Sequence, residues 1–193
     1  MDVQDIPTQL RGFVAQQDRR CRSLGIDVSG YAISHVAVRC RTWDEYVATR
    51  DSLERVASAN LENVWNGRPI SKLVLSEPVP VGGERHVSVI ELIAPFHQRI
   101  YKMGLEHVGY VVGDTFGEFA QTHFAVLTGQ QFQSEYCAPV YVLFSDYTHV
   151  KFYERSLRDA CILEGADFSR TVHAPWAPDN PLAGPYAPAQ EWQ

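Results

Sequence analysis

Two histidines and one glutamate have the side-chain types and the placing to hold a divalent metal ion. His35 lies in the run Ser34-His35-Val36-Ala37-Val38-Arg39-Cys40, and His107 in Glu106-His107-Val108-Gly109-Tyr110-Val111-Val112. Both runs alternate as strands do, and each places its histidine near the start, so they read as one strand written twice. A third alternating run, Val87-Ser88-Val89-Ile90-Glu91-Leu92-Ile93, carries a carboxylate where a buried strand disfavours one. A buried Glu is costly unless it is paired or binds a cation. Two imidazoles and a carboxylate brought together by a repeat form a ligand set for an ion with open positions.

Strand parity sorts the neighbouring residues. His35, Ala37 and Arg39 share one face, and Val36, Val38 and Cys40 share the other, which suits packing beneath a helix. The first set, with His107, Gly109, Val87, Val89 and Glu91, is expected to line a cleft. The small Ala37 and Gly109, two places beyond each histidine, are expected to leave room for a ligand. In a later run, Val150 and Phe152 pack, and His149, Lys151 and Tyr153 face the cleft. The repeat aligns Ile90-Glu91-Leu92 with Val150-Lys151-Phe152, so Lys151 stands where a second carboxylate could have been. Three protein ligands then remain, with Lys151 a cation near the open side. Arg39, Arg68 and Lys151 are the groups expected to meet an anionic substrate. Lys151, Tyr153 and Arg39 are the candidate catalytic residues, Tyr153 as an acid or hydrogen-bond donor at the rim. A metal-free alternative pairs Glu91 with Lys151, Arg39 or Arg68. His86, His97, His123, His149 and His173 carry no comparable pattern and are read as structural.

The elements that must position these residues come in a repeated order. An amphipathic helix spans residues 7–24, stopped by Gly25. Tyr31 to Cys40 is a strand, and Thr42-Trp43-Asp44-Glu45 is a capping box opening a helix that buries Tyr46, Val47, Leu53 and Val56. Asn66-Gly67 predicts a tight hairpin within residues 63–75. A loop with Pro78, Pro80 and Gly82-Gly83 leads to the Glu91 strand. The second unit repeats β-α-β-β-β: the His107 strand, then a helix capped by Asp114 or Thr115 that carries Phe116, Phe119, Phe124 and Leu127 and ends at Gly129. Short strands follow at Phe132–Tyr136, Val140–Phe144 and His149–Tyr153, then a closing helix with Leu157, Cys161 and Ile162 inward. The fold class is therefore α+β, two tandem β-α-β-β-β modules (about 30–95 and 104–155) forming one curved-sheet cleft. Residues 1–172 read as one domain and 173–193 as a proline-rich tail, with Pro175, Pro178, Pro181, Pro185 and Pro188. Prolines at that density exclude regular helix or central strand. The tail reads as a surface extension, while Trp176, Tyr186 and Trp192 leave a lid or docking role open.

Composition bounds the rest. The chain has 193 residues with a net charge of −6, 45% hydrophobic and 21% charged, which is ordinary for a globular protein. No basic stripe points to nucleic acid, and no long apolar run points to a membrane. The N-terminus lacks a signal-peptide pattern, so the cytoplasm is the expected compartment. Cys21, Cys40, Cys137 and Cys161 are scattered, without a CxxC pair, and read as buried thiols.

The tandem plan with His and Glu on its cleft face resembles the vicinal oxygen chelate superfamily of glyoxalases, extradiol dioxygenases and fosfomycin-resistance proteins. Closer still, Ser34–Cys40, Asn66-Gly67-Arg68-Pro69-Ile70, Ile90-Glu91-Leu92, Gly104–Val108 and Val150-Lys151-Phe152 resemble, in order, the small YecM-like family grouped with metal-binding proteins. That resemblance implies the paired-module fold and a metal at His35, Glu91 and His107. The chain departs from the four-ligand glyoxalase pattern at Lys151. The expected activity is a metal-dependent reaction on a small anionic or chelating substrate, with a non-haem Fe(II) oxygenase first. An isomerase or lyase using Zn, Mn, Ni or Co, or a non-catalytic metal- or metabolite-binding protein, is the alternative. The oligomeric state is open, with a homodimer among the options.

Overall fold

A computed structural model of the chain describes residues 5–65, 67–95 and 101–176. Helix α1 (Ile6–Ser23) precedes strand β1 (Ala32–Arg39), helix α2 (Trp43–Glu54), and strands β2 (Ala57–Trp65), β3 (Arg68–Gly82) and β4 (Arg85–Ile93). The second module contains β5 (Gly104–Val111), helix α3 (Phe116–Thr122), β6 (Gly129–Gln130), β7 (Val140–Leu143) and β8 (His149–Tyr153), followed by helix α4 (Leu157–Leu163). The eight strands form one sheet in the order β2-β3-β4-β1-β5-β8-β7-β6. Each half reads outward from the centre in the same way. The first strand of each module is parallel to its last, β1 with β4 and β5 with β8, and the remaining pairs are antiparallel. The modules meet along the antiparallel pair β1/β5, which places the pseudo-twofold axis between the two histidine strands.

The sheet has a helix-covered face and a cleft face. Val36, Val38, Ile90, Leu92, Val108, Tyr110, Val150 and Phe152 are buried in one cluster with Leu10, Phe13 and Val14 of α1 and Tyr46 and Leu53 of α2. Ala37 packs separately with Ile70 and Ile93, and Tyr153 with Cys137 and Ala160, on the other side. Alternation thus sends Val36, Val38, Ile90, Leu92, Val150 and Phe152 to the core and His35, Glu91, His107 and Lys151 to the cleft, while Val87, expected on the cleft face, joins the core instead.

Local signals explain most boundaries. Thr42 Oγ1 accepts from the Glu45 N–H at 3.0 Å, a cap that stabilises α2 by about 1 kcal/mol. Gly67, at φ +71°, turns the two-residue hairpin that pairs Trp65 with Arg68; Asn66 lies outside the described residues. Several expectations are corrected. The Pro78–Gly82 stretch is the end of β3 rather than a loop, after a register shift between Val74 and Val79. Pairing with β2 stops at Leu75, so Pro78 and Pro80 lie where one edge of β3 has no strand to hydrogen-bond. Helix α3 follows a 3₁₀ turn at Gly113–Thr115, has no side-chain cap, and ends at Thr122 rather than Gly129. Phe124, beyond that end, is exposed, as is Val56 beyond the end of α2. Ile162 also points outward, because Leu157, Ala160 and Cys161 take the inner stripe of α4. The strand expected at Phe132–Tyr136 is replaced by β6 and a Ser134–Cys137 bridge. No helix among the described residues is long and apolar enough to cross a membrane.

Candidate metal centre

Register along the central pair brings the histidines together. His35 lies opposite Gly109, and Ala37 lies opposite His107, so each imidazole crosses over the other strand's small residue. Ala37 is also the parallel neighbour of Glu91 on β4, and Gly109 the parallel neighbour of Lys151 on β8. His35, Glu91, His107 and Lys151 thus occupy four symmetric positions around β1/β5.

The donor atoms converge. His35 Nε2 and His107 Nε2 are 3.1 Å apart, and Glu91 Oε2 is 3.6 Å from the first and 3.3 Å from the second. An ion held at about 2.1 Å from each donor sets neighbours about 3.0 Å apart at right angles and about 3.4 Å apart at the tetrahedral angle. The triangle therefore matches one face of such a coordination sphere, and the residues present fit a divalent metal. The protonation tendencies agree. Burial pushes His35 down to about 3, against the pull of Glu91, which leaves the imidazole neutral and able to ligate. Burial alone would raise Glu91, but the hydrogen bond it accepts from His107 and its surroundings of imidazoles and Lys151 carry it well below the usual carboxylate range. Lys151, buried, is lowered by desolvation, with Glu91 and Glu106 opposing.

Other expected site residues sit differently. Arg39 does not present its charge to the cleft: its guanidinium forms a buried, two-pronged pair with Glu106 and stacks at 3.9 Å on the Tyr101 ring. Arg68 is buried beside Arg39, whose charge adds to desolvation in lowering it, within electrostatic reach of Glu106 and Glu91. Tyr153 is not at a rim. It is buried, with its ring edge-on to His35 at 5.4 Å. The space beside Gly109 is not open for a ligand either, because His35 and Tyr153 fill it. His149, read as structural, stacks on His107 at 4.5 Å, with its Nε2 4.0 Å from Glu106. His173 pairs with Glu54, and His97 lies outside the described residues.

A cavity of about 320 Å³ opens over Glu91. Asn63, Trp65, Ile70 and Lys72 form one wall, and Leu157, Ala160 and Cys161 of α4 form the opposite one. Its volume suits a small ligand. Lys72, cross-strand partner of Glu91 and hydrogen-bonded to Asn63, is a wall residue that sequence reasoning missed, although its parity with Ile70 on β3 could have shown it. Glu106 was missed because strand alternation points it away from the cleft.

A single-sheet, paired-module α+β protein with a His-His-Glu cluster over a small cavity is the class these features define. The family described as YecM protein matches residues 2–157, and the chain belongs to it. Protein YecM of Escherichia coli (strain K12) is 32% identical over 111 residues, a stretch spanning 58% of this chain and 58% of that protein. The solved structure titled "Structural Genomics, Protein EC4020" superposes with a TM-score of 0.65 at 26% identity, covering 84% of this chain and 92% of that one. A glyoxalase/bleomycin resistance protein/dioxygenase superfamily member from Vibrio splendidus 12B01 gives a TM-score of 0.36 at 9% identity, covering 63% of this chain and 97% of that one.

Proposed function

We propose that the chain is a metal-dependent enzyme of the vicinal oxygen chelate type, in which His35, Glu91 and His107 hold a divalent ion and a small chelating molecule reaches it through the Glu91 cavity. The observation that carries this reading is the donor triangle of 3.1, 3.3 and 3.6 Å, built by the central strands of a tandem repeat. Fe(II) is the favoured ion, and bound there it would supply the activation of dioxygen toward a coordinated substrate.

The protein's own residues have separate tasks. Neutral His35 and ionised Glu91 supply the ligand chemistry without prior proton loss. Lys151 faces Glu91 from the symmetric position and balances an anionic substrate group, a role shared with Lys72 on the cavity wall. Tyr153 packs edge-on against the His35 ring rather than acting as an acid. Arg68 lies close enough to bias the site toward anions, while Arg39 is committed to Glu106. Helix α4 and Trp65 wall the cavity on two sides. Lys151 in the place of a second carboxylate supports oxygen chemistry over a two-carboxylate proton shuttle.

The test is anaerobic purification followed by reconstitution, with oxygen uptake measured across a panel of catechols and α-hydroxy and α-keto acids. Fe(II) is expected to give substrate-dependent oxygen consumption and Zn(II) none. Equal turnover without oxygen using Zn, Mn or Ni would replace the oxygenase reading with an isomerase or lyase. Stoichiometric binding without product would make the chain a binding protein.

A further inference from the structure

The β1/β5 pairing is interrupted twice, and both interruptions fall beside a histidine. Between the Ile33–Tyr110 and His35–Gly109 pairs, β1 carries one extra residue, Ser34. Between Ala37–His107 and Val38–Leu105, β5 carries one extra residue, Glu106. A bulge breaks strict alternation and re-aims the side chain it carries. Each extra residue immediately precedes its histidine and contacts the ring nitrogen that faces away from the donor triangle. Ser34 Oγ is 2.9 Å from His35 Nδ1, and Glu106 Oε1 is 3.3 Å from His107 Nδ1. Both are buried, Ser34 and Glu106 each 3% exposed.

We propose that Ser34 and Glu106 are paired positioning residues, delivered by symmetric bulges, that hold His35 and His107 with Nδ1–H turned outward and Nε2 turned toward Glu91. The proposal rests on the metal reading of the same site. A ligating imidazole needs its other nitrogen protonated and engaged, which fixes the tautomer and the ring plane. Ser34 Oγ also accepts from the Leu157 N–H at 2.7 Å, so the same hydroxyl ties His35 to the start of α4, the cavity wall. Glu106 is itself fixed by Arg39. Glu106, His107 and His149 are close enough to suggest a second metal cluster. Arg39 already engages both oxygens of Glu106, so a further cation there would meet the guanidinium charge. Glu106 therefore orients a ligand and does not serve as one.

The experiment measures Zn(II) affinity of the full chain by competition with a chromophoric chelator, together with long-range ¹H–¹⁵N spectra of the histidine rings. Wild type loaded with Zn(II) is expected to show His35 and His107 both protonated on Nδ1. Ser34→Ala is expected to weaken Zn(II) binding about 10- to 100-fold. Glu106→Gln, whose amide oxygen can still accept, is expected to lose less than Arg39→Met combined with Glu106→Leu, which removes the acceptor and leaves no unpaired buried charge. Folded variants with wild-type affinity, or an Nε2-protonated tautomer at either histidine, would overturn the positioning role. If Ser34→Ala does not fold, the double variant decides. Wild type that takes up no Zn(II), Co(II) or Fe(II) would instead overturn the metal reading.

Discussion

Gly109 has a hydrogen where His35 needs volume. A Cβ there would lie 2.7 Å from His35 Cε1, 2.9 Å from its Nδ1 and 2.9 Å from Tyr153 Cε2. Both rings are buried, so a retreat by either must displace a packed neighbour. Gly109→Ala should therefore cost about 1–3 kcal/mol and weaken metal retention, by forcing His35 out of the triangle. Thermal melting with and without Zn(II) checks this; a variant with unchanged melting and unchanged metal response would show that the His35 ring has slack. At this scale the register of the repeat pointed to His35, Glu91 and His107, which the structure brings together. It misjudged what the small residues were for, because parity tells which face a residue takes and not which side chain crosses over it. Arg39 and Tyr153 sit deeper than parity predicts for a related reason: facing the cleft does not mean reaching it when a buried neighbour such as Glu106 or His35 claims the group.

Among the elements, the strands were readable because alternation, the Asn66-Gly67 turn and the Thr42 cap are local signals. The bulges were not, since an extra residue on β1 or β5 is defined only by the partner strand. The ends of α3 and β3 were misplaced because tertiary pairing, not propensity, sets them. The same limit hid the segment that follows α4. Val172 bridges Leu61 on the outer strand β2, and Trp176 packs against Trp43 and Tyr46. The expected surface extension thus has a specific seat over residues 172–176, on the helix-covered side; Tyr186 and Trp192 lie outside the described residues. Its anchor is Glu62, wholly buried, which accepts from Tyr46 at 2.7 Å, Arg50 at 3.0 Å, Ala174 N–H at 3.1 Å and Trp176 Nε1 at 2.6 Å. Glu62→Ala removes the acceptor these donors share, leaving Arg50 only Asp51 and Tyr46 only Ser71, and should cost on the order of 3 kcal/mol, with a red shift in tryptophan emission as Trp176 leaves its seat. Lost stability without that red shift would show that Glu62 supports α2 and does not hold the segment.

Across the whole molecule, symmetry about β1/β5 is what relates Lys151 to Glu91, and the two parallel registers, Ala37 with Glu91 and Gly109 with Lys151, match. Lys151→Glu should then place a second carboxylate at the fourth corner. Without metal, two close buried carboxylates repel, so the melting temperature should fall; with Zn(II) or Mn(II) it should recover further than wild type gains. No added metal response would break the symmetry argument. The repeat was the part of the sequence that reported most about the whole, because it is written at the same scale as the fold. Every role proposed for the site follows from His35, Glu91 and His107 binding one ion together. Titration of the full chain with Co(II), followed by absorption spectroscopy and calorimetry, tests it most directly against His35→Ala, His107→Ala and Glu91→Gln. One equivalent is expected to bind wild type with a visible ligand-field band, and that stoichiometric binding is expected to be lost in either histidine variant while the melting transition persists. Full occupancy retained by His35→Ala or His107→Ala would contradict it.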